Sequence, residues 1–249
     1  MPRIEPRARL LDPRRGREAG AALVIVVLAT CVVVTLSLLL ALLTRVETEV
    51  ASNALEAVHT LALAEGAAEY AAAELSGLAS WNTALTGAVT STFYDGARGM
   101  RLVAGRTVHL EEETARVTCG RISCVGRRWD EVTASRPWGR NNPVWQVFAS
   151  GRAEDLLGAL RGLLPGYVVV WVADDASEND ADQLEDGGPP VAEARSVVNP
   201  GAGVISLKVV AWGPRGSRRE LDIVVERADP AAQTGILVRS WREGRGAEP

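Results

Sequence analysis

The longest apolar stretch of the chain lies near its N-terminus. From Ala19 to Thr44 no residue carries a charge, and from Ala21 to Glu65 there is neither glycine nor proline. A helix needs about 20 apolar residues to cross the hydrocarbon core of a membrane. The pattern therefore predicts a transmembrane helix over residues 21–44. It lies within one unbroken helix from Gly20 to Gly77, which would be about 85 Å long.

Beyond the predicted span, the apolar residues recur at steps of three and four. They are Val46, Val50, Ala54, Val58, Leu61, Ala64, Ala68, Ala71 and Leu75. This spacing places them on one face of a helix. Most of the later positions are alanine, whose small side chain allows a close approach. The pattern predicts that residues 45–77 continue the same helix as an amphipathic segment, with a sheet packed on its alanine face.

The remainder of the chain, residues 78–249, predicts a β-rich head domain. A loop-dominated connector is expected over Ser80–Arg106, a short helix over Arg152–Leu164 and a hairpin turn at residues 213–218. Strands are predicted at Arg101–Leu110, Ala115–Cys119, Val144–Ser150, Tyr167–Ala173, Val204–Trp212, Glu220–Glu226 and Ile236–Trp241. The predicted fold class is α+β, with a long N-terminal helix packed on a mainly antiparallel sheet.

Charge predicts the orientation of the span and the class of partner. The leader, residues 1–20, carries six arginines against three acidic residues. Basic residues before a span hold that end in the cytoplasm, so the head is expected outside the cytoplasmic membrane. A cleaved secretory signal peptide is the competing interpretation, but its apolar region is normally shorter, about 7–15 residues. The net charge of −4 gives no reason to expect nucleic acid as a partner.

Two cysteines of the head lie five positions apart. Cys119 and Cys124 belong to a segment expected in an oxidising compartment, where so close a pair can form a disulfide. The alternative is a pair of reduced cysteines in strand positions. A metal site is a poorer interpretation because no second pair of Cys or His accompanies them.

An acidic loop is predicted directly after a buried strand. Residues 174–187 contain seven carboxylates and one asparagine. Oxygen ligands are what calcium prefers, and crowded carboxylates repel one another unless a cation relieves them. The candidate ligands are Asp174, Asp175, Asn179, Asp180, Asp182 and Asp186. The spacing does not fit an EF-hand, and a solvated acidic loop is the alternative. No other cofactor is expected.

Catalytic motifs have little support in this sequence. The only histidines, His59 and His109, lie in no motif with a nucleophile, and there is neither a phosphate-binding glycine loop nor a serine elbow. A structural protein is therefore expected rather than an enzyme. Four tryptophans could line a recognition surface or fill a core, namely Trp138, Trp145, Trp171 and Trp212.

Several motifs together resemble a known family. The basic leader ends in Gly20, the span opens Ala-Ala-Leu-Val, and two runs follow at Thr44–Asn53 and Ala62–Ala71. This N-terminal region resembles the PilX-type minor pilins of type IV pilus systems. Segments of the head also resemble the C-terminal regions of these proteins, at residues 136–143, 168–175 and 212–216.

The resemblance implies a processing site and a place in a filament. It implies cleavage by a prepilin peptidase between Gly20 and Ala21, with other minor pilins and the major pilin as partners. Major pilins carry glutamate at the fifth mature position, where this chain has Ile25. That glutamate is understood to neutralise the N-terminal amine of a neighbouring subunit. Its absence favours a tip or priming subunit.

Two alternatives remain open at the level of the sequence. A minor pseudopilin of a type II secretion system would have nearly the same N-terminal pattern. The other alternative is an uncleaved, single-span membrane-anchored receptor or enzyme.

Overall fold

A computed structural model of the chain describes residues 13–96, 98–124, 143–157, 165–178, 182–187, 201–229 and 234–244. The chain divides into two units, Met1–Ser52 and Asn53–Pro249. The described elements combine one very long helix with a five-stranded antiparallel sheet, which confirms the predicted α+β fold.

Helix α1 runs from Pro13 to Ser76. The absence of glycine and proline between Ala21 and Glu65 leaves every backbone N–H in that range able to continue the helical hydrogen-bond ladder. The helix begins seven residues before Gly20, so it includes part of the basic leader. At its C-terminal end, Gly77 N–H donates to the Glu74 carbonyl, and the chain turns toward the head.

The main sheet contains β3 (Gln146–Arg152), β4 (Tyr167–Asp174), β5 (Val204–Trp212), β6 (Arg218–Asp229) and β7 (Thr234–Gly244). Their spatial order is the same as their order along the chain, and every neighbouring pair is antiparallel. A short 3-10 helix, Pro214–Gly216, forms the predicted turn between β5 and β6. The last five predicted strands of the head are thus confirmed, with longer bounds for β6 and β7.

Two predicted strands in the first part of the head are wrong. Residues 101–110 form a hairpin of β1 (Met100–Val103) and β2 (Arg106–His109), because Ala104 and Gly105 adopt positive φ angles of 49° and 84° and reverse the chain. Residues 115–119 lie in helix α3, Leu110–Cys119. Its first turn holds three glutamates, which favour a helix N-terminus, and Gly120 ends it in the left-handed conformation.

Two short helices complete the described elements. Helix α2, Asn82–Leu85, lies within the predicted connector and buries Leu85. Helix α4, Ala153–Leu157, follows β3 where a helix was predicted. Residues 158–164 of that predicted helix lie outside the described residues.

Apolar residues cover one face of the main sheet across its strands and the other face over β3, β4 and β5. One core cluster lies between α1 and the sheet. The strands contribute buried residues such as Val170, Leu207 and Ile223, and Ile236 of β7 packs at the margin. Helix α1 contributes Leu63, Ala64, Ala67, Ala68, Ala71 and Leu75. The opposite face forms a second cluster with Val108, Leu110, Trp145 and Trp171 beneath the hairpin and α3. Strand β4 lies between the clusters, and all eight of its residues are buried. The head therefore has two separate cores that share one sheet.

Candidate functional site

The first candidate is the apolar part of α1, which lies in the unit Met1–Ser52. Over Gly20–Ser76 the helix is long and apolar enough to cross a membrane. Every residue from Gly20 to Thr44 is exposed, and Leu23 and Ile25 expose 67% and 65% of their surface. In water, so much exposed hydrocarbon is costly. This part of the helix is therefore suited to an apolar environment.

The hydroxyl groups of this segment are satisfied within the helix itself. Thr35 Oγ1 donates to the Cys31 carbonyl at 2.7 Å, and Ser37 Oγ donates to the Val33 carbonyl at 2.8 Å. Thr30 and Thr44 make the same type of bond to residues four positions earlier. Lipid offers no hydrogen-bond partner, so such internal bonds are what a membrane-spanning helix requires.

The predicted processing residues lie on α1. Gly20 is exposed, and a Cβ added to it would meet nothing within 4 Å. Neither packing nor a positive φ angle requires glycine there. The Gly20–Ala21 bond lies inside the helix rather than at its beginning, since α1 starts at Pro13. Ile25 follows one turn later, with its side chain exposed.

The predicted apolar stripe of α1 is buried only in its last turns. Ala64, Ala68, Ala71 and Leu75 are at most 1% exposed, as predicted. By contrast, Val46, Val50 and Val58 expose 57%, 62% and 62% of their surface. The prediction of a sheet packed on the alanine face is therefore confirmed, and the valines at the start of the stripe stay exposed. Among the described residues, the sheet packs on the helix only from about Thr60 onward.

A polar junction marks the beginning of the buried segment. Thr60 Oγ1 donates to the Glu56 carbonyl and lies 2.8 Å from Ser217 Oγ, which therefore acts as the donor to Thr60. Arg215 pairs with Glu56 at 2.5 Å. Gly213 allows this approach, because a Cβ there would lie 2.2 Å from Thr60 Oγ1. The turn between β5 and β6 is thus bound to α1 by polar contacts.

A second junction lies at the C-terminal end of α1. Trp81 is fully buried, and its Nε1–H donates to the Leu75 carbonyl at 2.9 Å. The guanidinium of Arg227 lies 4.2 Å from the centre of the Trp81 ring and donates to the Leu78 carbonyl. Burial lowers the pKa of Arg227, and the charge of Asp186 opposes that shift. These contacts join β6 to the residues that follow α1.

The acidic loop is bound to the head by its own side chains. Asp186 Oδ1 accepts a hydrogen bond from Gly203 N–H at 2.6 Å, and Asp186 N–H donates to Asn82 Oδ1 at 3.0 Å. Asp175 accepts hydrogen bonds from Ser177, and Asp182 accepts one from Leu184 N–H. These bonds fix the positions of Asp175, Asp182 and Asp186 within the head.

Of the remaining candidate calcium ligands, the structure describes Asp174 alone. Asp174 is buried at the end of β4, with 3% exposure. Asn179 and Asp180 lie outside the described residues. Within the described ranges, no group of three or more His, Cys, Asp or Glu side chains is placed to hold a metal ion. The calcium hypothesis gains no support from these positions.

Cys119 and Cys124 form a disulfide, with their Cα atoms 6.1 Å apart. Cys119 is the last residue of α3, and Gly120 N–H donates to the Arg116 carbonyl to end that helix. The sulfur of Cys124 lies 3.6 Å from the Ala115 carbonyl oxygen. The bond thus closes a small ring onto the last turn of α3. Cys31 is a free, exposed thiol on α1.

A polar cluster centred on Asp95 is not apparent from the sequence. Its Oδ1 accepts hydrogen bonds from Ser150 Oγ at 2.6 Å and Tyr167 OH at 2.8 Å, and its Oδ2 accepts one from Arg101 Nε at 2.9 Å. Burial raises the pKa of Asp95, but the hydrogen bonds from Arg101, Ser150 and Tyr167 outweigh it, so the pKa is lowered. Burial raises the pKa of Tyr167.

This cluster anchors the β1–β2 hairpin. Arg101 lies in β1, Ser150 in β3 and Tyr167 in β4, so one carboxylate connects three strands of two sheets. Its members are separated by up to 72 positions along the chain, so no local sequence pattern predicts that they meet. The Asp95 side chain is partly exposed, and its hydrogen bonds to Arg101, Ser150 and Tyr167 cross-link the two sheets.

Lys208, the only lysine of the chain, lies in a second ion-pair cluster. Its Nζ binds Glu220 at 2.7 Å and also Asp222, and it lies 5.9 Å from the centre of the Trp145 ring. Burial lowers the pKa of Lys208, but hydrogen bonds to Asp222 and Glu220 outweigh it and raise the pKa. The amine is therefore held in its charged form, which is not nucleophilic.

The tryptophans and histidines singled out in the sequence lie in the following surroundings. Trp145, Trp171 and Trp212 are 8%, 0% and 3% exposed, so they fill a core, and Trp138 lies outside the described residues. His109 Nδ1 lies 3.9 Å from Glu112 Oε1. Within the part of the chain that the structure describes, neither His59 nor His109 is hydrogen-bonded to a serine or cysteine.

No family model, no curated protein and no solved structure matches this chain. Two features of α1 bear most directly on function. One is its exposed apolar part, and the other is its alanine-lined part beneath the sheet.

Proposed function

We propose that this chain is a PilX-like minor pilin, a structural subunit that is anchored in the cytoplasmic membrane by α1 before assembly into a type IV pilus. The observation that carries the proposal is the uniformly exposed, uncharged helix from Gly20 to Thr44, whose hydroxyl groups are bonded internally. Such a surface suits lipid and the apolar side chains of neighbouring helices equally. The work of the protein is structural rather than enzymatic.

Each part of α1 has a role in this proposal. The basic leader keeps the N-terminus in the cytoplasm, and the head lies outside the membrane. A prepilin peptidase cleaves between Gly20 and Ala21, and the span then packs against equivalent helices of other minor pilins and of the major pilin. The exposed Leu23, Leu28 and Leu39 supply the apolar surface for that packing.

The residue at the fifth mature position supports a tip or priming role. Ile25 presents only hydrocarbon, so it cannot neutralise the N-terminal amine of a neighbouring subunit. An unpaired charge in a helix bundle is costly. A subunit at the end of a filament avoids this cost because no further subunit has to be received there.

The cleavage step is tested by the N-terminus of the protein recovered from cells with an active prepilin peptidase. Mass spectrometry of the N-terminal peptide should find Ala21 as the first residue. Gly20→Ala should abolish cleavage without affecting the fold, since the added Cβ meets nothing within 4 Å. Gly66→Ala is the matched control, because it also meets nothing within 4 Å, and it should be cleaved normally. An intact Met1 or Pro2 in such cells would overturn the proposal in favour of an uncleaved single-span anchor.

The position in the filament is tested with Ile25→Glu. The variant supplies the missing carboxylate, so it should be incorporated along the shaft in more copies per filament than the wild type. Immunogold labelling of sheared pili measures that number. An unchanged number and position of labels would contradict the role proposed for Ile25.

A minor pseudopilin of a type II secretion system is the second candidate, supported by the same exposed helix and the same residue at position 25. The two are separated by deletion of the gene. Loss of surface pili supports the pilus assignment, whereas loss of secreted enzymes with intact pili supports the secretion assignment.

A further inference from the structure

We propose that a pocket beside the end of β3 binds a guanidinium group, carried by an arginine side chain of a partner protein. The pocket has a volume of about 290 Å³, and its lining residues come from α1, the segment before the β1–β2 hairpin, β3 and α4. We call it the Asp155 pocket, and its walls include Tyr70, Phe93, Tyr94, Asp95 and Asp155. The inference concerns the head alone and does not depend on the proposed role in a pilus.

The size of the Asp155 pocket suits one side chain rather than a whole cofactor. Pockets that hold complete small-molecule ligands have volumes of about 300–1,000 Å³, so this pocket lies at the lower limit. Tyr70 is 38% exposed and Asp155 is exposed, so the pocket is accessible from solvent. These properties fit a group that enters while the rest of its molecule stays outside.

The aromatic walls are held in place without a ligand. Tyr70 OH donates to Thr92 Oγ1 at 2.7 Å, because Thr92 Oγ1 itself donates to Glu74 Oε1. The Phe93 ring packs edge-to-face on Tyr70, with ring centres 6.3 Å apart. It also lies against Gly151, where a Cβ would be 2.6 Å from the ring. The rings are thus preorganised, which lowers the entropic cost of binding.

The pocket carries a negative charge that the described residues leave uncompensated. Asp155 lies in the first turn of α4, and its carboxylate makes no ion pair or hydrogen bond within the described ranges. The other carboxylate, Asp95, is already paired with Arg101 at 2.9 Å. Among the described residues that line the pocket there is no arginine, lysine or histidine. Asp155 is therefore the group that a cationic ligand would bind.

Aromatic rings together with a free carboxylate favour a guanidinium group. The face of an aromatic ring attracts cations, and arginine makes this contact more often than lysine. A guanidinium can also donate two parallel hydrogen bonds to one carboxylate. An ammonium group is more strongly hydrated, so its transfer from water into a partly apolar pocket is more costly. An anionic ligand would be repelled by Asp155.

The test uses N-acetylargininamide, which is blocked at both ends like an arginine within a protein chain. The full chain is labelled with fluorotyrosine and followed by fluorine NMR in non-ionic detergent micelles. Of its three tyrosines, Tyr70 and Tyr94 line the pocket, whereas Tyr167 is buried and does not. The signals of Tyr70 and Tyr94 should shift more than that of Tyr167, with a dissociation constant on the order of millimolar.

Two substitutions in the same turn of α4 provide a matched pair. Asp155→Asn should weaken binding by about two- to fivefold, because it removes the ion pair. Glu154→Gln also removes a carboxylate from this turn, but Glu154 lies 3.5 Å from Arg152 and does not line the pocket. It should leave the dissociation constant unchanged. Tyr94→Leu keeps an apolar side chain but removes a ring, so it should weaken binding by about two- to fivefold.

The outcomes separate this proposal from its alternatives. Binding that is weakened by Asp155→Asn but not by Glu154→Gln supports it. Equal weakening in the two variants would overturn it, because binding would then follow the overall charge. Absence of shifts well above millimolar probe concentrations, or equal shifts with the neutral N-acetylcitrullinamide, would also overturn it. The citrulline comparison uses the wild-type chain, so it decides the result even where a variant does not fold.

Free arginine is the other source of the same group. If free arginine binds more than about tenfold more tightly than the blocked probe, the pocket recognises an amino acid rather than a side chain of a partner protein. That result would overturn the assigned partner. Similar affinities for the two probes would show that only the guanidinium end is recognised, as the proposal requires.

Discussion

The two halves of α1 carry similar apolar side chains in different surroundings. Leu39, in the first half, exposes 56% of its surface, whereas Leu75, in the second half, is fully buried against the sheet. The same helical propensity and nearly the same hydrophobicity thus serve two purposes. The second half finds its partner within the head. The first half is suited to surroundings that supply hydrocarbon, as a membrane does.

The largest effect is expected from shortening leucine side chains in the two halves. Leu75→Ala should lower the free energy of unfolding of the head by about 2–5 kcal/mol, since it leaves a cavity beside the sheet. Leu39→Ala should change it by less than about 0.5 kcal/mol. Thermal unfolding of both variants in detergent measures the difference. Equal losses in the two variants would show that the halves do not differ as described.

Introducing a charge distinguishes the environments of two equally exposed valines. Val33 and Val58 are 61% and 62% exposed, but only Val33 lies in the predicted span. Val33→Arg should disfavour membrane insertion by about 2.5–3.5 kcal/mol. Val58→Arg should leave insertion unchanged, because water solvates the new charge. Carbonate extraction of membranes measures the inserted fraction, and release of both variants would contradict the assigned end of the span.

Two glycine substitutions compare close packing with free helix surface. A Cβ on Gly166 would lie 2.8 Å from Leu63 Cδ2 and 3.1 Å from the Trp212 carbonyl oxygen. Gly166→Ala should therefore destabilise the head by about 1–3 kcal/mol. Gly66→Ala meets nothing within 4 Å and should stabilise α1 by about 0.5–1 kcal/mol. The signs of the two shifts in denaturant midpoint provide the check.

Two threonines distinguish hydroxyl groups that serve the head from those that serve only the helix. Thr60 Oγ1 bonds across to Ser217, so Thr60→Val should cost about 0.5–1.5 kcal/mol of head stability. Thr35 bonds only to α1 carbonyls, and Thr35→Val should leave the head unchanged. A double-mutant cycle with Ser217→Ala isolates the coupling between the two hydroxyls. Zero coupling would show that the junction contributes nothing.

The smallest effect concerns pH. From Gly20 to Thr44 there is no Asp, Glu or His, so acid sensitivity must arise outside this segment. The lowered pKa of Asp95 contributes stability that is present above its unfolded-state pKa and is lost as pH falls through its folded-state pKa, hence below about pH 4. Asp95→Asn should thus show a smaller decrease in Tm between about pH 6 and about pH 3 than the wild type. Identical decreases in Tm would show that Asp95 does not contribute to the acid sensitivity of the head.

The elements predicted correctly are those whose patterns are long or uniform. An uncharged run of this length without glycine or proline favours a helix. The continuous valine-rich run of β4 is typical of a strand that is buried on both faces. The error in α3 is instructive. Alternating Ala115, Val117 and Cys119 suggested a strand, but the acidic first turn and the glycine after Cys119 favour a helix more strongly.

How far the sheet extends along the apolar stripe of α1 does not follow from the sequence for a different reason. Periodicity shows that Val46, Val50 and Val58 share a helix face, but it does not show how far the sheet extends along that face. That limit is set by the junction of Thr60 with Ser217 and Gly213, which joins residues more than 150 positions apart. The Asp95 cluster was unpredictable for the same reason, because its members meet only in the folded chain.

The internally bonded hydroxyls of α1 have an energetic consequence. A threonine or serine whose proton is already donated to its own helix presents little more than a methyl or methylene group to its neighbours. When such a helix leaves one hydrocarbon environment for another, no hydrogen bond has to be broken and none remains to be formed. The exchange is then close to neutral in free energy, and small differences in side-chain fit decide its direction.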